Sequence, residues 1–130
     1  EYSIHLKQLA FKTPGVVMTG FLKGEALQVV FSQASLFVMP SYHEGLPIAL
    51  LEAMSFSLPV VVSDILPNLE VGLPAETSFK LGNVADLADK MTRWANAPRI
   101  DYGDFLQRYN WDEIARKTVS IYHRLDKTIG

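Results

Sequence analysis

The run Leu58-Pro59-Val60-Val61-Val62 is the clearest β signal in this chain, an unbroken apolar stretch with three successive valines. A strand without polar alternation is buried on both faces, and such strands belong to parallel sheets covered by helices on either side. The flanking segments repeat the theme. Leu36 to Met39 is a second apolar run, stopped by Pro40. Val16-Val17-Met18-Thr19 is short and β-branched, bounded by Gly15 and Gly20, and predicts another buried strand. Thr77 to Gly82 reads as a weaker one. Between these runs the spacing is helical. Leu6, Leu9 and Ala10 predict a helix over residues 2–11, closed by Thr13-Pro14-Gly15. Ala26, Val29, Val30 and Ala34 predict one over 25–34, and another starts at Pro47 and runs to about Phe56. Ser63 to Thr77 reads as a loop with one helical turn. Asn83 is placed to cap a helix over 84–97, whose Leu87, Met91 and Trp94 recur at helical spacing before Pro98. Two more helices follow near 102–109 and 112–126, the second carrying Ile114, Val119, Ile121, Tyr122 and Leu125. Strands alternating with helices give the class α/β, a parallel sheet covered by helices on both faces, with a helical C-terminal tail.

Size and charge narrow the function. The 130 residues make a single domain, and 48% hydrophobic with 20% charged residues is ordinary globular composition. A net charge of −2 and dispersed basic residues leave no footprint for nucleic acid or an anionic membrane. No cysteine is present, which excludes disulfides and thiolate metal sites and is consistent with a reducing cytoplasm. No apolar stretch approaches the roughly 20 residues needed to span a bilayer. The chain opens on Glu1 with no signal-like segment, and the lack of an initiator Met suggests a piece of a longer parent.

Two glutamates stand out in Pro40 to Met54, "PSYHEGLPIALLEAM". In open α/β sheets ligands sit beyond the carboxyl ends of the strands, beside helix N-termini. Met39-Pro40-Ser41 is such an end, and the helix near Pro47 offers its first N–H groups and dipole to an anion such as phosphate. Glu44 lies in the connecting loop, where Gly45 permits close approach of backbone to a ligand. Glu52 is the sole charge between Leu46 and Phe56, in a helix that reads as buried on nearly every side. Burying an unpartnered carboxylate costs several kcal/mol. It therefore either reaches a cleft edge and nearby backbone N–H groups or meets the hydroxyls of a polar ligand; residue chemistry leaves both open. His43, Ser63-Asp64 and Glu70 read first as solvated or turn-capping residues, His5 and His123 as structural, and Trp94 and Trp111 as packing residues.

"PSYHEGLPIALLEAMSFSLPVVVSD" resembles the signature region of the retaining family 4 glycosyltransferases, the group 1 family with the GT-B fold. Their pattern is a Pro-Ser strand end, Glu-Gly, Leu-Glu-Ala-Met, then a Gly-x-Pro-Val-Val strand leading to Ser-Asp. "VVMTGFL" and "ASLFVMPS" are similar to the strands upstream, and "LGNVADLADKM" and "YNWDEIARKTVSIY" to the closing helices. The resemblance implies the C-terminal, nucleotide-sugar-binding half of a GT-B enzyme that transfers a hexose-type sugar to a glycan or lipid, as in polysaccharide biosynthesis. It implies that Glu44 contacts a hydroxyl of the donor sugar and that Glu52 holds the ribose. The amides around Gly45 and Leu46 would face sugar and diphosphate, with Gly20 and Leu22 near the base. The donor would be a UDP-, GDP- or ADP-sugar, with no cofactor and no metal, and the location cytoplasmic or peripheral to a membrane in the full-length parent. One departure is Ser57, where the family usually has glycine.

The family's diphosphate-binding Arg and Lys, its first two strands and its acceptor-binding N-terminal domain have no matching segment here. The expectation is therefore a truncated donor-binding domain, inactive alone, with an unpaired strand edge that favours homo-association. The alternatives are a non-catalytic nucleotide-sugar-binding or interaction module of the same fold, and a hydrolase or epimerase using two carboxylates. The latter ranks low, because a glycosidase pair flanks one bond.

Overall fold

The computed structural model describes residues 2–129, with side chains as far as residue 124. The chain separates into two compact units, one ending at Gln33 and one beginning at Ala34.

The first unit holds two helices, α1 (Tyr2–Lys12) and α2 (Gly24–Gln33). α1 stops where Thr13-Pro14-Gly15 predicts. The N–H of Thr13 bonds to the Ala10 carbonyl at 3.1 Å, and Gly15 takes φ +83°. Val16–Thr19, expected as a buried strand, is neither buried nor a strand: it joins no ladder, and Val17 is 79% exposed. A β-strand is a pairing, so β-branched residues without a partner strand remain an extended connector.

The second unit contains a three-stranded parallel sheet in the order β1 (Phe37–Met39), β2 (Val60–Ser63), β3 (Ser78–Phe79). Phe37 pairs with Val60, Met39 with Val62, and Ser63 with Phe79. All four residues of β2 are buried, so both faces of the central strand are covered, as the Val60-Val61-Val62 run predicts. α3 (Ile48–Ser55) packs on β1 and β2, and α5 (Val84–Trp94) on β2 and β3. Leu50, Ala53, Met54, Leu58 and Val71 complete the core with the strands.

α4 (Leu66–Leu69) is the single helical turn expected after β2, and the weak strand around Ser78 is present but two residues long. Asn83 caps α5 as expected, its side chain accepting the Asp86 N–H at 3.0 Å. α6 (Gly103–Leu106) leads through a 3₁₀ turn to α7 (Trp111–Ile129). α7 leaves Trp111, Val119, Ile121 and Tyr122 exposed, so Trp111 is not a core residue; the Leu125 side chain lies outside the described set. Trp94 is partly covered and donates from Nε1 to the Glu76 carbonyl at 3.2 Å.

Segment 99–102 closes the α3–β2 corner. Arg99 donates to the carbonyls of Phe56 (2.7 Å) and Ala34 (3.1 Å), the Ile100 N–H to that of Ser57 (2.9 Å), and the Tyr102 hydroxyl to that of Leu58 (3.0 Å). Three successive carbonyls left over between a helix and a strand thus find donors, which a buried chain reversal requires.

Candidate functional site at the carboxyl edge of the sheet

The carboxyl ends of the three strands are tied together. Ser41, two residues past β1, accepts at its carbonyl from Ser63 Oγ at 2.6 Å. Asn68, buried on α4, donates from Nδ2 to the Ser63 carbonyl (3.0 Å) and to Ser63 Oγ (3.2 Å). Asp64 accepts the Leu81 N–H at 2.8 Å and Lys80 Nζ at 3.1 Å, joining the end of β2 to the end of β3. The Leu81 N–H and then Lys80 hold the Asp64 carboxyl below its ordinary range. Ser63-Asp64 is thus engaged within the protein, but it caps no turn: α4 has no side-chain cap, and both side chains tie strand ends together instead.

On this platform sits the loop from Ser41 to Pro47. Ser41 Oγ donates to Glu44 Oε1 at 2.7 Å, leaving Oε2 without a protein partner among the described residues. The N–H groups of Tyr42, His43, Glu44, Gly45 and Leu46, and that of Ala49 in the first turn of α3, find no protein acceptor among the described residues. α3 begins at Pro47 without a side-chain cap, so its positive end is open as well. From Gly24 through Phe79 the chain has no Lys or Arg, so the open amides and the helix end are what this stretch itself offers an anion. Gly45 lies outside the left-handed region, and a Cβ there would meet nothing within 4 Å. Neither the fold nor the backbone angle requires glycine at this place.

Glu52 departs from its expected setting. It is exposed, not enclosed by apolar neighbours. Ile48, Ala49, Glu52 and Ser55 form the open stripe of α3 at spacings of three and four, while Pro47, Leu50, Ala53 and Met54 form the covered one. An exposed carboxylate has no desolvation cost to explain. Glu44, Gly45 and Leu46 are contiguous, and Glu52 lies one turn beyond Ile48 on the helix they introduce. Gly20, at φ +69°, and half-buried Leu22 belong to the first unit.

A separate apolar cavity of about 150 Å³ lies beside the loop, lined by Pro40, Tyr42, Phe79, Leu81, Val84 and Leu87 among others. None of the predicted site residues lines it. Among the described residues no cluster of three or more His, Asp or Glu side chains could hold a metal ion. No helix among them is long and apolar enough to cross a membrane. Ser63-Asp64 is weighed in the sequence only as a strand end near the site, Ser41 has no signal beyond the Pro40-Ser41 strand end, and Asn68 on α4 has none.

The family model described as glycosyl transferases group 1 matches residues 3–118. The chain belongs to this glycosyltransferase family. An uncharacterized glycosyltransferase of Methanocaldococcus jannaschii is 31% identical over 120 residues, covering 82% of this chain and 30% of the relative. A sulfoquinovosyl transferase of Arabidopsis thaliana is 38% identical over 98 residues, covering 71% of this chain and 18% of that protein. The solved sucrose-phosphate synthase of Thermosynechococcus elongatus superposes on 98% of this chain with TM-score 0.79 and 25% identity, across 34% of its own length. This glycosyltransferase chain therefore has the GT-B, Rossmann-like fold and spans about a third or less of the length of each of these relatives.

Proposed function

We propose that this chain is the nucleotide-sugar-binding part of a retaining glycosyltransferase that passes a hexose-type sugar to a glycan or lipid acceptor. In this reading Glu44 Oε2 accepts a hydroxyl of the donor sugar, and the amides of Gly45 and Leu46 face the sugar and diphosphate. Glu52, on the open stripe of α3, holds the ribose hydroxyls. The observation that carries the reading is the row of unpaired amides from Tyr42 to Leu46. They sit at an uncapped helix start beside a half-free carboxylate, at the carboxyl edge of a parallel sheet. A polyphosphate ester of a sugar needs this pairing, with donors for the anionic oxygens and an acceptor for the hydroxyls. No metal is assigned a role, and a cytoplasmic or membrane-peripheral setting belongs to the same proposal.

The test is a calorimetric screen of the full-length protein against UDP-glucose, GDP-mannose and ADP-glucose, repeated with Glu52→Gln. Loss of one charge-assisted contact to the ribose should weaken whichever nucleotide sugars bind by a similar factor, about tenfold. Unchanged affinity returns Glu52 to the solvent-exposed face of a helix, and failure of all three probes to bind overturns the reading itself.

A further inference from the structure

We propose that Ser41 is a positioning residue for Glu44, fixed through Ser63 by the buried Asn68, and that these hydrogen bonds set how well the site distinguishes a sugar-bearing nucleotide from the bare nucleotide. The inference rests on the reading of Glu44 as the contact for the donor sugar.

The geometry is continuous across three segments distant in sequence. Asn68 is 1% exposed and its Nδ2 grips both the carbonyl and the hydroxyl of Ser63, itself fully buried. Because Nδ2 donates to both, the Ser63 proton is free to point to the Ser41 carbonyl, where it makes its 2.6 Å bond. That bond fixes the backbone at Ser41, and the Ser41 hydroxyl then donates to Glu44 Oε1 at 2.7 Å. The result is a carboxylate held by one oxygen and open at the other. A free Glu side chain loses several rotamers when it grips a ligand, and a pre-held one has lost them already.

Fold stability alone does not account for the arrangement. Among the described residues Asn68 Oδ1 is buried without a partner, an arrangement that disfavours the folded state, while Nδ2 makes both of its bonds to Ser63. Ser41 Oγ gives its one proton to the Glu44 carboxylate and, among the described residues, accepts from none of the amides of residues 42–46, so it serves the carboxylate and not the turn.

The experiment compares each nucleotide sugar bound by the full-length protein with its matching diphosphate: UDP-glucose with UDP, GDP-mannose with GDP, ADP-glucose with ADP. Ser41→Ala should weaken the sugar nucleotide about tenfold while changing the bare diphosphate less than about twofold, and Ser41→Thr, which keeps the hydroxyl, should restore the difference. If alanine lowers Tm, Ser41→Cys gives the same readout with the volume kept and a weaker donor. Equal weakening of both ligands, or no change in their ratio, overturns the positioning role. Glu44→Ala separates the two claims. If it collapses the ratio while Ser41→Ala leaves it intact, only the relay fails; if it leaves the ratio unchanged, the assignment of Glu44 fails and takes the relay with it.

Discussion

Gly45 and Tyr102 show how single residues divide between binding and stability in this glycosyltransferase chain. At Gly45 a methyl group meets open space and an ordinary backbone angle, so Gly45→Ala should leave stability unchanged or raise it by up to about 1 kcal/mol, through the unfolded chain. If the glycine exists to let a diphosphate or sugar approach the amides, the same change should lower sugar-nucleotide affinity by about tenfold or more. Calorimetry beside thermal melts reads both, and a variant that binds normally removes Gly45 from the site. Tyr102 is the converse, a buried phenol bonded to the Leu58 carbonyl, with its pKa pushed by burial from 10.0 to about 12. Tyr102→Phe should cost about 1 kcal/mol near neutral pH by leaving that carbonyl unpaired. Because the folded pKa is the higher one, the contribution of the neutral phenol is complete below pH 10.0 and is lost as pH rises towards about 12. The wild type and Tyr102→Phe should therefore converge in urea melts above pH 10.0; a gap that stays constant across that range would show the phenol is not held neutral.

At the scale of elements, the end of α3 sets how the chain enters its central strand. The Leu58 N–H returns to the Ala53 carbonyl at 3.1 Å and the Ser57 N–H to that of Met54 at 2.8 Å. These bonds make a Schellman turn, with Leu58 and Ala53 in the core as its apolar pair. The residue at the left-handed position is Ser57, at φ +60°, where the family usually has glycine. A side chain there costs about 1–2 kcal/mol, while glycine gives back about 0.4–1 kcal/mol in the unfolded chain. Ser57→Gly should thus stabilise by about 0.5–1 kcal/mol and raise Tm by a few degrees. A lower Tm would mean that the Ser57 side chain contributes more than its backbone strain costs. The segment 99–102 braces the same corner, so β2 is delivered to the sheet by a strained turn and a bracing segment acting together.

At the scale of the whole molecule, the stretch that carries Glu44 and Glu52 contains no Lys or Arg of its own. In the proposed reading the loop meets an anion with amides, and the nearest Lys after it in sequence, Lys80, is paired with Asp64. Transfer needs strong stabilisation of charge on the leaving diphosphate and an acceptor held in line. The isolated 130-residue chain is therefore expected to transfer no sugar from any nucleotide donor, and measurable turnover would refute this. β1 stands at the edge of the sheet, and an edge strand is a template for another chain. The proposal of homo-association through that edge predicts a sedimentation coefficient that rises with concentration; a compact monomer throughout would rule it out.

From the sequence alone the kinds of element, their order and the family could be read, because each rests on local pattern. Val60-Val61-Val62 predicts a strand covered on both faces, Asn83 a helix cap, and Glu-Gly followed by Leu-Glu-Ala-Met a known signature. Partners were what the tertiary structure decided. Val16–Thr19 has the composition of a strand, but pairing is a property of two segments, and among the described residues it forms no strand. α3 is apolar on almost every side, so its periodicity is too faint to say which stripe is covered, and only its packing on β1 and β2 turns Glu52 outward. The hold on Glu44 likewise runs through Ser41, Ser63 and Asn68, across a separation of 22 residues between the two serines that no local pattern encodes.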